Sequence, residues 1–170
     1  KLDKGHTYYA DGYLVHNKGG GGSGGGVSCF IAGTQVQRAD GTLDNIENIE
    51  IGDELMGMDG SINLVKAFDR PELWERWLWT MNDETVPWFT SEHPFYTTDG
   101  WNSLGPQLTK LEMPDLDVTR LKEGDMIVQS DGSLKELKRY LASEGDYNTQ
   151  LYNFILSNTR SYFANGNLVH

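Results

Sequence analysis

Apolar and polar residues alternate in short bursts along this chain, and paired turn residues separate the bursts. Asp-Gly recurs at Asp40-Gly41, Asp59-Gly60, Asp99-Gly100 and Asp131-Gly132, each a signal for a tight turn or hairpin loop. Between them stand alternating or β-branched stretches at Thr34–Val36, Trp77–Thr80 and Met126–Val128. Alternation with period two marks a half-buried strand. One stretch departs from it: Leu134, Leu137 and Leu141 recur at helical spacing within Leu134–Ala142, which predicts a short helix there. The pattern as a whole predicts an all-β domain, mainly strand with short helical pieces.

A second kind of punctuation divides the chain. Gly19 to Gly26 is a glycine run broken only by Ser23. Such a segment has no side chains with which to bury surface and reads as a linker, natural or engineered. The expected organisation is a short piece over 1–17, a Gly-rich linker over 18–28 and a domain over 29–170. Two internal repeats cross this division. Gly52-Asp53 followed by Asp59-Gly60-Ser61 matches Gly124-Asp125 followed by Asp131-Gly132-Ser133 at the same spacing, which predicts two related halves. The other repeat aligns His6–His16 with Arg160–His170, sharing Tyr, Ala, Gly and a terminal Leu-Val-His. Each copy predicts a β-hairpin turning at Asp-Gly or Asn-Gly.

Composition narrows the function. The chain has 170 residues, 38% of them hydrophobic, and 14 Lys+Arg against 25 Asp+Glu leave a net charge of −11. It is too apolar for a disordered segment and long enough for one domain with a core of its own. No run of about 18 apolar residues exists to span a membrane, and no secretory leader is visible. The first residue is Lys1, so a fragment, a tagged chain or a processed piece is expected. An acidic chain is a poor partner for a phosphate backbone, so neither nucleic acid nor membrane is expected as a partner.

Chemistry centres on Cys29, the only cysteine. It can form no internal disulfide and, alone, no thiolate zinc site. A small buried hydrophobe is the plain reading. Its place, directly after the linker and before the first patterned strand, fits a nucleophile acting on the peptide bond that precedes it. Three separated segments share that logic: Cys29–Thr34, then Thr90-Ser91-Glu92-His93-Pro94, then Tyr162–His170. Together they resemble the Hint family, the hedgehog/intein fold, and most closely bacterial and phage intein-like self-processing domains. The resemblance covers Cys29 to His170 and implies a horseshoe-like all-β fold with pseudo-twofold related halves.

The resemblance also implies roles. Cys29 attacks the carbonyl of Ser28 and turns the Ser28–Cys29 peptide bond into a thioester. His93 matches the family's general acid at the scissile nitrogen. Thr90 matches the threonine whose hydroxyl or backbone N–H holds the scissile peptide and the oxyanion. His170 matches the histidine that activates a following asparagine for cyclisation. The chain ends at His170, so that second cleavage is expected not to occur there, whereas His16-Asn17-Lys18 in the first piece is a complete junction of this type. That piece therefore reads as the tail of an upstream domain, a tag derived from one, or a strand exchanging with 160–170. Two positions depart from the family. Asn153 follows Tyr152 where an aspartate is common, and Arg160 stands where a histidine is common and where the first copy keeps His6.

The expected function is single-turnover, autocatalytic cleavage at Ser28–Cys29, with the flanking polypeptide as partner in cis and no cofactor. His6, His16, His93, His170 and Cys29 match no metal-ligand spacing. An intracellular bacterial or phage protein is the expected source. The alternative is a structural or assembly module in which the same fold is inactive.

Overall fold

The structure is a computed structural model that describes residues 27–170, together with the backbone of Thr7–Ala10 and Tyr13–His16. Those two early strands pair antiparallel with each other, Thr7 opposite His16, as a separate two-stranded sheet. His6, Asn17 and the glycine run lie outside the described residues.

The Gly-Asp repeat builds two turns of the same design. Gly52 and Gly124 both take left-handed φ, 94° and 93°, a conformation that costs glycine nothing. The next residue then caps its own turn: Asp53 Oδ2 accepts from the Glu50 N–H at 2.8 Å, and Asp125 Oδ2 from the Lys122 N–H at 2.9 Å. Each repeat continues into a hairpin. Glu54–Met56 pairs with Ile62–Asp69, and Met126–Val128 pairs with Leu134–Glu136. The Gly-Asp turn is thus the same in both halves, while the hairpin loops differ: Asp59 takes a left-handed φ of 54° and Asp131 instead accepts from the Ser133 N–H at 2.9 Å.

Two larger sheets carry these hairpins. In the nine-stranded sheet the main path runs Leu43–Asn45, Gln35–Gln37, Tyr162–Ala164, Asn167–Val169, Phe95–Thr97, Gly100–Ser103 and Val118–Arg120. The seven-stranded sheet runs Tyr140–Glu144, Trp77–Met81, Phe89–Thr90, Phe30–Ile31, Leu151–Leu156, Ile62–Asp69 and Glu54–Met56. Phe30–Ile31 is therefore flanked by Phe89–Thr90 on one side and Leu151–Leu156 on the other. Gly100–Ser103 and Val118–Arg120 run parallel, which requires a crossover. The helix Pro106–Glu112 supplies it, starting on a proline whose fixed φ suits a first helical turn.

The helix predicted over Leu134–Ala142 is absent. Leu134–Glu136 and Tyr140–Glu144 are strands, the latter paired residue for residue with Trp77–Met81. Of the three leucines only Leu137 is buried, while Leu134 and Leu141 are exposed. The apparent helical stripe joins residues from two strands of different sheets, and the Asp131-Gly132 turn overrides it.

An aromatic core joins the sheets. The Phe30 ring stacks on Trp88 at 5.2 Å between centroids, and Phe89 meets Phe95 edge-on at 5.0 Å. Tyr162, from the last hairpin, is fully buried against Phe154. Both repeats hold that hairpin. Gly57 lies so close to the Ser161 backbone and the Asn63 amide that a Cβ there would overlap them. At the matching place in the other half, Gln129 Nε2 donates to Asn167 Oδ1 at 3.0 Å.

Candidate active site

The Ser28–Cys29 peptide lies where the two neighbours of strand Phe30–Ile31 and the helix converge. Ser28 and Cys29 are fully buried. Strand pairing sets Phe30 opposite Phe89 and Tyr152, which carries Thr90 and Asn153 to either side of the junction. The Cys29 N–H, the nitrogen of the peptide bond in question, donates to Thr90 Oγ1 at 3.0 Å. The Thr90 N–H in turn donates to the Cys29 carbonyl at 3.1 Å. Thr90 thus holds the residue after the bond at both its backbone groups.

His93 reaches the same place through a turn. Its N–H donates to the Thr90 carbonyl at 3.1 Å, so Thr90 and His93 present their side chains from one loop. The buried imidazole lies against the Phe30 ring, 3.9 Å between centroids. Neither ring nitrogen has a hydrogen-bond partner among the described residues. A buried polar atom without a partner is uncommon and marks a place where a reacting group belongs. Burial pushes His93 well below its usual range, the His170 side chain pushes the same way and the His170 backbone opposes it, so the ring is neutral. His170 is itself lowered to about 4 by burial, with the Arg160 charge adding to it. It lies edge-on to Trp101, with rings 5.2 Å apart, and its N–H donates to the Pro94 carbonyl at 3.3 Å.

The residues before the bond are held by charge. Arg76 Nη1 donates to the Val27 carbonyl at 2.8 Å and to Glu92 Oε1 at 3.1 Å. The Glu112 carboxylate accepts twice from Ser28: its Oε2 from the N–H at 2.8 Å, its Oε1 from the hydroxyl at 3.1 Å. Asn153 Nδ2 approaches Ser28 Oγ at 3.5 Å, and Asn153 Oδ1 accepts from the Tyr162 hydroxyl at 3.3 Å. Val27 and Ser28, the last residues of the expected linker, are thus bonded to the domain. The helix and the Thr90–His93 turn are tied together: Thr109 Oγ1 donates to the Glu92 carbonyl at 2.6 Å, and the Gly105 N–H to the Ser91 carbonyl at 2.7 Å.

The Cys29 side chain packs with Leu73, Leu78 and Leu151. Burial pushes its thiol well above the usual range; Arg76 opposes this, while Asp69, Glu112 and Glu92 add to it. The resting sulfur is therefore a thiol, and an attack on Ser28 must remove its proton. Burial also raises Glu112, to about 7, despite the two bonds from Ser28.

Of the residues expected from the sequence, Ser28, Cys29, Thr90, His93 and Asn153 are gathered here, and His170 stands behind His93. His16 is described by its backbone alone, paired with Thr7. Arg160 is exposed on a turn at φ 54°. Glu112 and Arg76 were not singled out by the pattern reading, and Tyr162 was named only as the first residue of its last segment. Among the described residues, no three His, Cys, Asp or Glu side chains gather as ligands for a metal ion.

The fold is that of Hint, intein-like domains. Residues 29–73 match the family described as Hom_end-associated Hint. The solution structure of a bacterial intein-like domain from Clostridium thermocellum is similar, at 27% identity and a TM-score of 0.65, with 85% of this chain and 99% of that one covered. The crystal structure of the gp41-1 intein follows at 21% identity and 0.64, again over 85% and 99%. A DnaB intein from Synechocystis sp. PCC 6803 has 15% identity and 0.60, over 85% and 98%. A catalytic subunit of the V-type proton ATPase from Candida tropicalis is 59% identical over 47 residues, 25% of this chain and only 4% of that protein. At the family level this fold points to self-processing or splicing, acting in cis within a larger precursor.

Proposed function

We propose that this domain cleaves its own chain at Ser28–Cys29 by an N–S acyl shift. Cys29 Sγ bonds to the Ser28 carbonyl carbon, the C–N bond to Cys29 breaks, and the thiol proton ends on the freed Cys29 amine. Held neutral by burial, His93 can accept that proton and return one to the departing nitrogen. Thr90 holds the same nitrogen, and Asn153 lies on the Ser28 side. The resulting thioester passes to an external thiol or to water. The observation that carries this reading is the bond from the Cys29 N–H to Thr90 Oγ1 at 3.0 Å, made by the turn that also presents an unpartnered, buried His93. His170, next to His93, is the residue that would activate an asparagine for cyclisation, and the 170-residue sequence holds none after it.

Intact mass spectrometry after incubation with dithiothreitol near neutral pH tests the proposal. The expected result is a fragment starting at Cys29 and a 1–28 peptide as thiol adduct or acid, both absent in Cys29→Ala. An unchanged mass over days would reject it. The packing of Cys29 among Leu73, Leu78 and Leu151 favours one other reading, in which the fold is a structural or assembly module with a silent junction. The unchanged mass is that reading's expected result.

A further inference from the structure

Resting on the cleavage proposed above, we infer that Glu112 is a specificity-determining residue: it selects a hydroxyl-bearing side chain at position 28, directly before the bond that breaks.

Both carboxylate oxygens are committed to that one residue. Oε2 accepts the Ser28 N–H at 2.8 Å, a contact any residue but proline can make. Oε1 accepts the Ser28 hydroxyl at 3.1 Å, a contact that depends on the side chain. On its other side the same hydroxyl lies 3.5 Å from Asn153 Nδ2. Ser28 is wholly buried, so a side chain without the hydroxyl leaves Glu112 Oε1 and the Asn153 amide facing it with no water to replace the lost bonds. Leaving a buried acceptor unpaired costs more than the bond itself was worth. The surroundings sharpen this. Glu92 and Asp69 both add negative potential at Glu112, and Arg76 is committed to Glu92 and the Val27 carbonyl. A carboxylate at position 28 would meet an acidic wall.

The helix that carries Glu112 is docked on the Thr90–His93 turn through Thr109 and Gly105. The side chain read by Glu112 is therefore measured against the same frame that holds the Cys29 nitrogen. A residue that seats poorly on Glu112 moves the Ser28 carbonyl relative to Cys29 Sγ, and displacements of about 1 Å at a reacting centre cost about a hundredfold in rate.

The test uses the full chain and a two-by-two comparison of Ser28→Ala and Glu112→Ala, with Ser28→Asp alongside and folding of each variant checked by its thermal transition. Rates of dithiothreitol-induced cleavage are read by intact mass. Ser28→Ala is expected to slow cleavage about tenfold to a hundredfold, and Ser28→Asp further. In the Glu112→Ala background, adding Ser28→Ala should change the cleavage rate by no more than about twofold. A second readout is independent of cleavage: the Ser28 amide resonance in the Cys29→Ala chain should titrate with a midpoint of about 7, and the titration should vanish in Glu112→Gln. Cleavage of the parent with no penalty for Ser28→Ala, or a penalty that persists without Glu112, overturns the selectivity alone. No cleavage of the parent, with the amide titration intact, overturns the processing proposal and with it any selectivity at this bond.

Discussion

The two sides of the Ser28–Cys29 bond are built on opposite physical principles. Before the bond, carboxyl and guanidinium groups do the holding: Arg76 on the Val27 carbonyl, Glu92 on Arg76, Glu112 on Ser28. After it, every partner is neutral: the Thr90 hydroxyl, an imidazole held unprotonated, and the leucines around the Cys29 thiol. Charge-assisted hydrogen bonds are strong and directional, which suits a segment that must be held still. In the proposed cleavage a proton leaves sulfur and reaches nitrogen, and a neutral His93 imidazole can take it up and give it back. The difference teaches a division of labour in which the flank before the bond is gripped and the flank after it is left free to react.

The largest break in this contrast comes from the reactive side. His93→Gln should lower thiol-induced cleavage by about 10²- to 10⁴-fold and also lower the denaturant midpoint, because the buried ring packs on Phe30 and an amide in its place is left without partners. Intact mass and urea unfolding of the same sample check both halves of that statement. On the gripping side the balance reverses. Arg76→Met strips the partner from Glu92, which is only 2% exposed, and should cost about 3 kcal/mol of stability, read as a lowered urea midpoint. Its effect on cleavage should follow from loosening of Val27 and be smaller than that of His93→Gln.

A third test is a pair of opposed pH slopes. His170 titrates at about 4 in the folded chain against an ordinary 6.5, so the unfolded chain binds more protons between those values and stability falls as pH drops through that window. Glu112 has the reverse sign. Its folded value of about 7 against an ordinary 4.5 means that the folded chain binds more protons, and stability falls as pH rises through that window. Melting temperatures across pH should show His170→Gln flattening the first slope and Glu112→Gln the second.

Much of the reactive side was legible in the sequence. Cys29 stands at a boundary, but Thr90 and His93 were named only through the resemblance of three separated segments to the Hint family; the structure adds that the two share one turn. The gripping side was not. Glu112 ends a seven-residue helix, and it meets Ser28 only because the parallel strands at Gly100 and Val118 demand a crossover at that height. The one available signal was Pro106 after Gly105, a helix start that says nothing of what the last turn will touch. The leucine stripe over Leu134–Ala142 misled for the complementary reason: periodicity reports local spacing, and here two sheets claimed the residues. The Gly-Asp repeat was the most faithful signal, because its glycine φ and aspartate cap are set within a few residues and owe nothing to distant contacts.

The partners of the junction are far from it along the chain: Thr90 by 61 residues from Cys29, Glu112 by 84 and Asn153 by 125 from Ser28. A ribosome adding about 5–20 residues per second needs roughly six to twenty-five seconds to pass from Ser28 to Asn153. If Cys29 acts as proposed, until then it has no complete site around it. The topology therefore acts as a clock: the residues upstream of Cys29 stay joined while the domain is being made, and an incomplete chain cannot release them.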